Sequence, residues 1–339
     1  MSVPRMDRRF LLTALAALGA SPASAQSKPE DGLRIVIAGT SGPLPVRDRA
    51  KPCIAILAGG ALYLVDVGPE STENLMTWRL PLAAARAVFL THLHSDHIGD
   101  LGEFNMQGWV QGRERPLSLV GPSGVEKVAR GFNTAYENDH RFRQAHHAHD
   151  GNQFPLAAGR LEPRVIRVPA SARTAIAWRD GDLTVTAIRV SHEPASPAFG
   201  YRFDYRGRSV SISGDTRKWP DFAEASRGVD VMLHEAQNEA MTRQLAQALK
   251  GMGNARTSAM MADTLTYHTT PVEAADIARA AGAKRLVLYH LTQAGLPFFS
   301  PEAFTRGMND GGPLDWRLAR DGMTIDLPVG GDEIRFSQL

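Results

Sequence analysis

Three imidazoles and a carboxylate fall within six residues in the run Thr91-His92-Leu93-His94-Ser95-Asp96-His97-Ile98-Gly99-Asp100. Burying so many polar heads is costly unless each finds a partner, and a shared cation supplies one. The run directly follows an apolar stretch at 87–90 that reads as a strand. Alternate side chains leaving a strand point the same way, so His92 and His94 can converge on one ion while Asp96 and His97 project from the turn towards a second. An H-x-H-x-D-H run in that setting is a specific signature; the competing readings are a surface histidine run and a helix cap at Asp96.

Later segments supply what this cluster lacks. They are Ser191-His192-Glu193-Pro194 with Phe199-Gly200-Tyr201-Arg202, then Ser213-Gly214-Asp215-Thr216, His234-Glu235-Ala236, Tyr267-His268-Thr269-Thr270 and Leu288-Tyr289-His290. Each is weak alone: His192 or His290 in isolation reads as a satisfied core or surface histidine, and Gly214-Asp215 as a turn. All 11 histidines lie between 92 and 290, so the chemistry is confined to that part of the chain.

In this order the motifs resemble the metallo-β-lactamase superfamily, in its branch containing ribonuclease Z and related phosphodiesterases and arylsulfatases. The similarity runs from the Gly39-Thr40-Ser41-Gly42 turn to His290. It implies an α/β fold, a four-layer αββα sandwich with metals at one edge. It also implies His92, His94 and His192 on one metal, Asp96, His97 and His290 on the other, and Asp215 between them. Two zinc ions are expected, although manganese or iron suits such ligands too. The resemblance further implies that Glu235 orients His268, which donates a proton. Gln237 stands where the family commonly has threonine, and the competing reading of Glu235 and His268 is a buried ion pair that supports the site.

Two zinc-type ions roughly 3.5 to 4 Å apart hold a bridging hydroxide at neutral pH, and Asp96 is placed to orient it. Two divalent cations less Asp96, Asp215 and hydroxide leave a core of about +1. Such a core favours an anionic ester whose transition state gathers negative charge. The expected activity is therefore hydrolysis of a small anionic ester, a phosphodiester or an aryl sulfate. Ribonuclease Z-like cleavage at tRNA 3′ ends is the alternative. Only about ten residues separate Tyr201-Arg202 from Ser213-Gly214-Asp215, too few for the tRNA-binding arm that such enzymes carry there, so nucleic acid is not the expected substrate. Lactone or β-lactam hydrolysis fits less well, because many β-lactamases of this family lack a carboxylate ligand at the position of Asp215. Readings of other classes are an exported metal-binding protein without catalysis and a nucleic-acid-binding module.

The elements that must position these residues are legible as short apolar runs between turn glycines. Strands are expected at 33–38, 53–57 and 61–65, and again at 183–190, 199–203, 209–213, 231–233 and 286–289. Helices are expected at 123–136, 236–250 and 271–281, the last opened by Pro271. Two groups of strands with helices between them suggest two packed sheets with helices outside. We read 26–339 as one domain, with 133–169 an insertion near the active site. In that insertion Asn133, Tyr136, Asp139, His140, His146, His147 and His149 either line the pocket mouth or belong to a solvated loop.

Composition sets the outer bounds. The 339 residues are 43% hydrophobic, enough for a substantial core. Lys+Arg (38) nearly balances Asp+Glu (36), so the formal charge of +2 calls for no polyanionic partner. Cys53 is the only cysteine, which excludes an intramolecular disulfide and a thiolate metal site; its run Cys53-Ile54-Ala55-Ile56-Leu57 marks it as a buried structural residue. Residues 1–25 read as a signal peptide. Arg8-Arg9 precede the apolar stretch from Phe10 to Ala20, and Ala23-Ser24-Ala25 has the form of a cleavage site before Gln26. The paired arginines resemble a twin-arginine signal, with Asp7 where serine or threonine is usual. The expectation is an exported, periplasmic protein, sent by a twin-arginine or a general secretory signal, with no stable membrane anchor after cleavage.

Overall fold

The strand β1 (Gly32–Gly39) shows how the layers arise. Successive side chains of a strand alternate between faces, and here both faces are apolar. Leu33, Ile35 and Ile37 join one core, while Val36 and Ala38 join another. Such a strand must be covered on both sides. A computed structural model describes residues 31–147, 154–169 and 171–339. The expected signal segment at 1–25 and the histidine His149 lie outside the described residues.

Strand β1 belongs to a sheet with β2 (Cys53–Ala58), β3 (Ala61–Val65), β4 (Ala85–Phe89), β5 (Leu117–Gly121), β6 (Leu161–Val165), β14 (Met323–Pro328) and β15 (Arg335–Gln338), ordered β15-β14-β1-β2-β3-β4-β5-β6. The second sheet holds β7 (Thr174–Asp180), β8 (Leu183–Val190), β9 (Ala198–Tyr205), β10 (Arg208–Ile212), β11 (Val231–Ala236), β12 (Arg285–Leu291) and β13 (Trp316–Leu318), ordered β13-β12-β11-β10-β9-β8-β7. Against the first sheet pack α1 (Ser71–Thr77), α3 (Leu101–Val110) and α4 (Val125–Ala135), through Leu75, Leu101, Phe104, Val125 and Ala129. The four-residue α2 (Ser95–Ile98) carries the motif, and α5 (Glu137–His147) follows α4. The second sheet is covered by α6 (Pro220–Ala225), α7 (Glu239–Gly251), α9 (Pro271–Ala281) and α10 (Pro301–Phe304), with α8 (Ala255–Thr264) packed on α7.

Three apolar cores therefore separate four layers, the αββα sandwich expected. Between the sheets Ile35, Ile56 and Phe89 meet Val185, Phe203, Leu233 and Val287. Phe89 is central there, with its ring 5.4 Å from that of Tyr201 and 5.5 Å from that of Phe203. Each such side chain contributes about 1.5–3 kcal/mol by leaving water, so strand β4 is firmly seated where it hands the chain to His92.

Strand direction decides where the functional residues go. β3, β4, β5 and β6 run parallel, as do β10, β11, β12 and β13, and β8 runs the same way as β10 because each is antiparallel to β9. Ligands of such sheets bind beyond the carboxyl ends of the strands. At that edge the two sheets are tied together. Phe199 donates its N–H to Thr91 O at 2.9 Å, Tyr201 Oη donates to Leu90 O at 2.6 Å, and Leu291 N–H donates to Thr40 O at 2.8 Å.

Several expectations are corrected. The segment 133–169, expected as an insertion near the active site, contains the end of α4, all of α5 and the edge strand β6 of the first sheet. The side chain of Asn133 is committed to the fold: it is used by the backbone of Leu161, accepting at 2.8 Å and donating at 2.9 Å. His140 is buried against Trp109, ring centroids 4.7 Å apart. The helix expected from 236 begins at Glu239 instead, because Ala236 completes β11 and Asn238 caps the helix by accepting from Met241 N. Among the described residues no helix is long and apolar enough to cross a membrane.

Candidate metal centre

The run after β4 turns as its sequence suggests. Thr91 and His92 leave the strand fully buried, His94 is exposed, and α2 brings Asp96 and His97 back under cover. His192 follows β8, Asp215 lies three residues beyond β10, and His290 is the penultimate residue of β12. The structure brings all seven of these predicted residues together, from both sheets, at one edge.

Asp215 Oδ2 is the point on which they converge. It lies 3.3 Å from His290 Nε2, 3.5 Å from His97 Nε2, 3.9 Å from His192 Nε2 and 4.0 Å from His92 Nε2. Asp96 Oδ2 is 3.4 Å from His290 Nε2 and 3.6 Å from His97 Nε2. The donors divide into His92, His94 and His192 on one side and Asp96, His97 and His290 on the other, with donor atoms in each group within 4.8 Å of one another. His92 and His97 also group with Asp215.

These residues fit a pair of divalent cations. Buried polar atoms are normally partnered, yet Asp215 Oδ1, His97 Nε2 and both ring nitrogens of His290 have no hydrogen bond although they are closed to solvent. Nitrogen and carboxylate oxygen in this number suit zinc and its neighbours. Charge already organises the cluster: burial opposes ionisation of Asp96, but His97 and His290 outweigh it and hold the carboxyl down at about 2. Burial likewise opposes charge on Asp215, and His290 and His97 hold it well below the usual carboxylate range. Burial takes His192 down to about 4, which leaves its ring neutral and able to ligate.

Backbone conformation serves the same end. His290 sits at φ 50° and Asp66 at φ 58°, a region side chains seldom adopt and which is found where surrounding structure enforces it. Gly214, at φ 61°, has no room for a Cβ, which would lie 2.8 Å from Thr91 Cβ; the glycine lets β10 approach the histidine run.

Asp66 is a functional residue that the motif reading does not single out. It lies just past β3, is 1% exposed, and accepts from the backbone N–H of Thr91, from Thr91 Oγ1 and from His97 Nδ1, each at 2.8 Å. A carboxylate holding one ring nitrogen fixes the tautomer and frees the other for a cation. The available signal is a lone aspartate in the apolar run Leu64-Val65-Asp66-Val67, a charge that needs a partner.

Glu235 and His268 meet as expected. His268 Nδ1 lies 2.9 Å from Glu235 Oε1, which also accepts from the backbone N–H of Thr216 (2.9 Å) and Thr269 (3.3 Å). Burial, helped by the charge on Asp215, pushes the Glu235 carboxyl up, and burial pulls His268 down. His268 also groups with His192 and Asp215, so one ring touches both the pair and the metal-capable cluster. The neighbouring His234 faces the opposite side of β11, edge-on to Phe222 at 5.6 Å, as strand alternation requires. Cys53 is fully buried, and burial pushes its thiol well above the usual range, in keeping with a structural role. The exposed His146 and His147 join no metal-capable group among the described residues.

Comparison with known proteins accords with this arrangement. A family model described as a beta-lactamase superfamily domain matches residues 62–291. The chain is 32% identical over 269 residues to a protein named ribonuclease Z from Mycobacterium marinum, covering 77% of this chain and 87% of that protein. It is 30% identical over 265 residues to ribonuclease Z from Mycobacterium bovis strain BCG, with the same coverage. Among solved structures, the short form of human tRNase Z superposes with a TM-score of 0.62 at 21% identity, covering 87% of this chain and 100% of that one. The metallo-beta-lactamase fold protein YhfI from Bacillus subtilis gives 0.61 at 19% identity, covering 88% and 100%. The chain therefore belongs to the metallo-β-lactamase superfamily, in its ribonuclease Z-like branch, and is a hydrolase of a fold that implies a divalent metal.

Proposed function

We propose that this chain is a metal-dependent phosphodiesterase acting on RNA, with His92, His94, His192 and Asp215 holding one divalent cation and Asp96, His97, His290 and Asp215 a second. The observation that carries the reading is the convergence of these donors on Asp215 Oδ2 beside a Glu235–His268 pair. When bound, the cations supply an activated water nucleophile and polarise a substrate oxygen.

The chain's own residues do the rest. Asp66 and Thr91 hold His97 in one tautomer. Asp96, with Oδ2 directed at the cluster, accepts a hydrogen bond from the attacking water and orients it. Glu235 anchors His268 through Nδ1, leaving Nε2 as the nitrogen that delivers a proton to the leaving oxygen. Two carboxylates among seven donors leave two divalent charges incompletely neutralised, which favours an anionic ester over a neutral lactone or lactam.

The name ribonuclease Z carried by the relatives favours a phosphodiester over an aryl sulfate, and RNA over the small ester expected from composition and export. Between His192 and Asp215 the chain forms only the β9–β10 hairpin, turning at Arg206 and Gly207. Recognition is therefore assigned to the scissile bond and its immediate neighbours rather than to an arm inserted there. The test is turnover by the zinc-loaded protein of an aryl phosphodiester, an RNA with a 3′ extension, an aryl sulfate, a lactone and a β-lactam. Phosphodiesters should be cleaved fastest; turnover of the sulfate or the β-lactam alone would reject the proposal.

A further inference from the structure

His290 is held differently from its neighbours in the cluster. The Nδ1 atoms of His92, His97 and His192 lie 3.0 Å from Thr91 Oγ1, 2.8 Å from Asp66 Oδ2 and 3.1 Å from Tyr267 O, and partners of this kind orient a ligating ring. His290 has none: both its ring nitrogens are buried and without a hydrogen bond. Its ring stacks on those of His97 and His268, with centroids 5.2 and 5.8 Å away. Stacking sets the tilt of the ring, but its place along the cluster is left to the backbone.

That backbone stands at φ 50°, a conformation that persists only where its surroundings enforce it. The enforcing contacts come from the turn after β1. Leu291, the residue following His290, donates its N–H to Thr40 O at 2.8 Å, and Ser41 forms an isolated bridge with Leu291. Gly42 then passes so close to the imidazole that a Cβ there would lie 3.1 Å from His290 Cε1.

One carboxylate anchors this turn. β14 runs antiparallel to β1, which brings Asp321, two residues ahead of β14, beside the end of β1. Asp321 accepts from Thr40 Oγ1 at 2.5 Å, from the backbone N–H of Ala50 at 2.6 Å and from Asn74 Nδ2 at 3.3 Å. Arg49 Nη1 donates to the same Thr40 hydroxyl at 2.8 Å. With its proton given to Asp321 and a lone pair taken by Arg49, the buried hydroxyl is fixed in direction. Asp321 itself joins no metal-capable group among the described residues and lies beyond the stretch 62–291 matched by the family model.

We propose that Asp321, acting through Thr40, is a positioning residue for His290 and sets the affinity of the second cation without altering that of the first. His290 belongs to the group with Asp96 and His97 and not to that of His92, His94 and His192, so a loosened turn acts on one ion. Lys51 braces the same turn independently, with Nζ donating to Ser41 Oγ at 3.1 Å and to Leu44 O at 2.5 Å, so the turn keeps a second anchor when the bond from Thr40 to Asp321 is removed. The inference rests on the two-cation reading of the cluster and deepens it.

The test is zinc binding by the full chain, resolved into two steps by competition with a chromogenic chelator; the step lost in H290A marks the second ion. D321N, and T40V, which removes the hydroxyl and keeps the shape of the side chain, should each weaken that step by about tenfold or more and leave the other unchanged. T40S restores the hydroxyl and should recover the parent affinity. Cobalt in place of zinc gives a spectroscopic check: the absorption of the second site should change in T40V and return in T40S, which a general loss of stability would not produce. Two zinc ions in the parent with the second step unchanged in D321N and T40V, with both steps weakened alike, or with T40S no better than T40V, overturns the inference and leaves the cation assignment standing. A parent protein that binds fewer than two zinc ions overturns both.

Discussion

His97 lies with Nδ1 2.8 Å from Asp66 Oδ2, and both side chains are closed to solvent. The pair joins the end of β3 to the helix after β4. It also settles which nitrogen of His97 is available to the cluster.

Replacing Asp66 by asparagine should therefore act on metal binding before it acts on folding. Loss of such a supporting carboxylate typically lowers metal affinity about 10- to 100-fold. Competition with a chromogenic chelator measures it, and an unchanged affinity would show that Asp66 serves only the backbone of Thr91.

Glu235 and His268 should separate catalysis from ligation. H268A should lower kcat on a phosphodiester by roughly 10²- to 10⁴-fold, with bound metal per chain retained. E235Q, which keeps the shape but weakens the grip on Nδ1, should cost about tenfold. Metal analysis alongside kinetics decides the matter: a parallel loss of metal would make the pair structural support.

Chelation should lower stability as well as activity. The buried atoms Asp215 Oδ1 and His290 Nε2 have no hydrogen bond to fall back on. A cation present at a hundred times its dissociation constant stabilises a fold by about 2.7 kcal/mol, so removing it should lower Tm by about 4 °C for each site. Scanning calorimetry with and without chelator, followed by zinc addition, tests this; an unchanged Tm would speak against ligation by this cluster.

Arg113 tests the segment that covers the first sheet. It is 4% exposed, burial takes its guanidinium down to about 10, and it donates to Arg115 O, to Asn105 O and Oδ1, and to Ala158 O. R113M should cost about 2–4 kcal/mol, because those buried acceptors lose a charged donor. The urea midpoint reads it, and a shift within error would mean that water replaces the guanidinium.

Much of the site was legible because its residues are chemically conspicuous. A histidine run after an apolar strand, a Ser-Gly-Asp turn and a histidine closing another strand are unusual enough to be seen one at a time. Strands with apolar runs, such as β1, β8 and β12, were equally visible. Elements with weaker patterns were not. β6 reads Leu-Glu-Pro-Arg-Val and is largely exposed at the sheet edge, where proline and charge are tolerated. α5 is so polar that it reads as a loop, yet His140 buries against Trp109.

The sequence by itself determined the donor inventory, the alternation that sorts side chains between layers, and the exclusion of thiolate chemistry, because these depend only on residue type and short spacing. Only the tertiary structure decided that Asp66 belongs to His97, that His234 turns away while Glu235 turns in, and that Gln237 borders a cavity shared with His268. Those outcomes depend on which strands lie side by side and in what register, and residues 31 or 33 positions apart in the chain carry no local sign that they will touch.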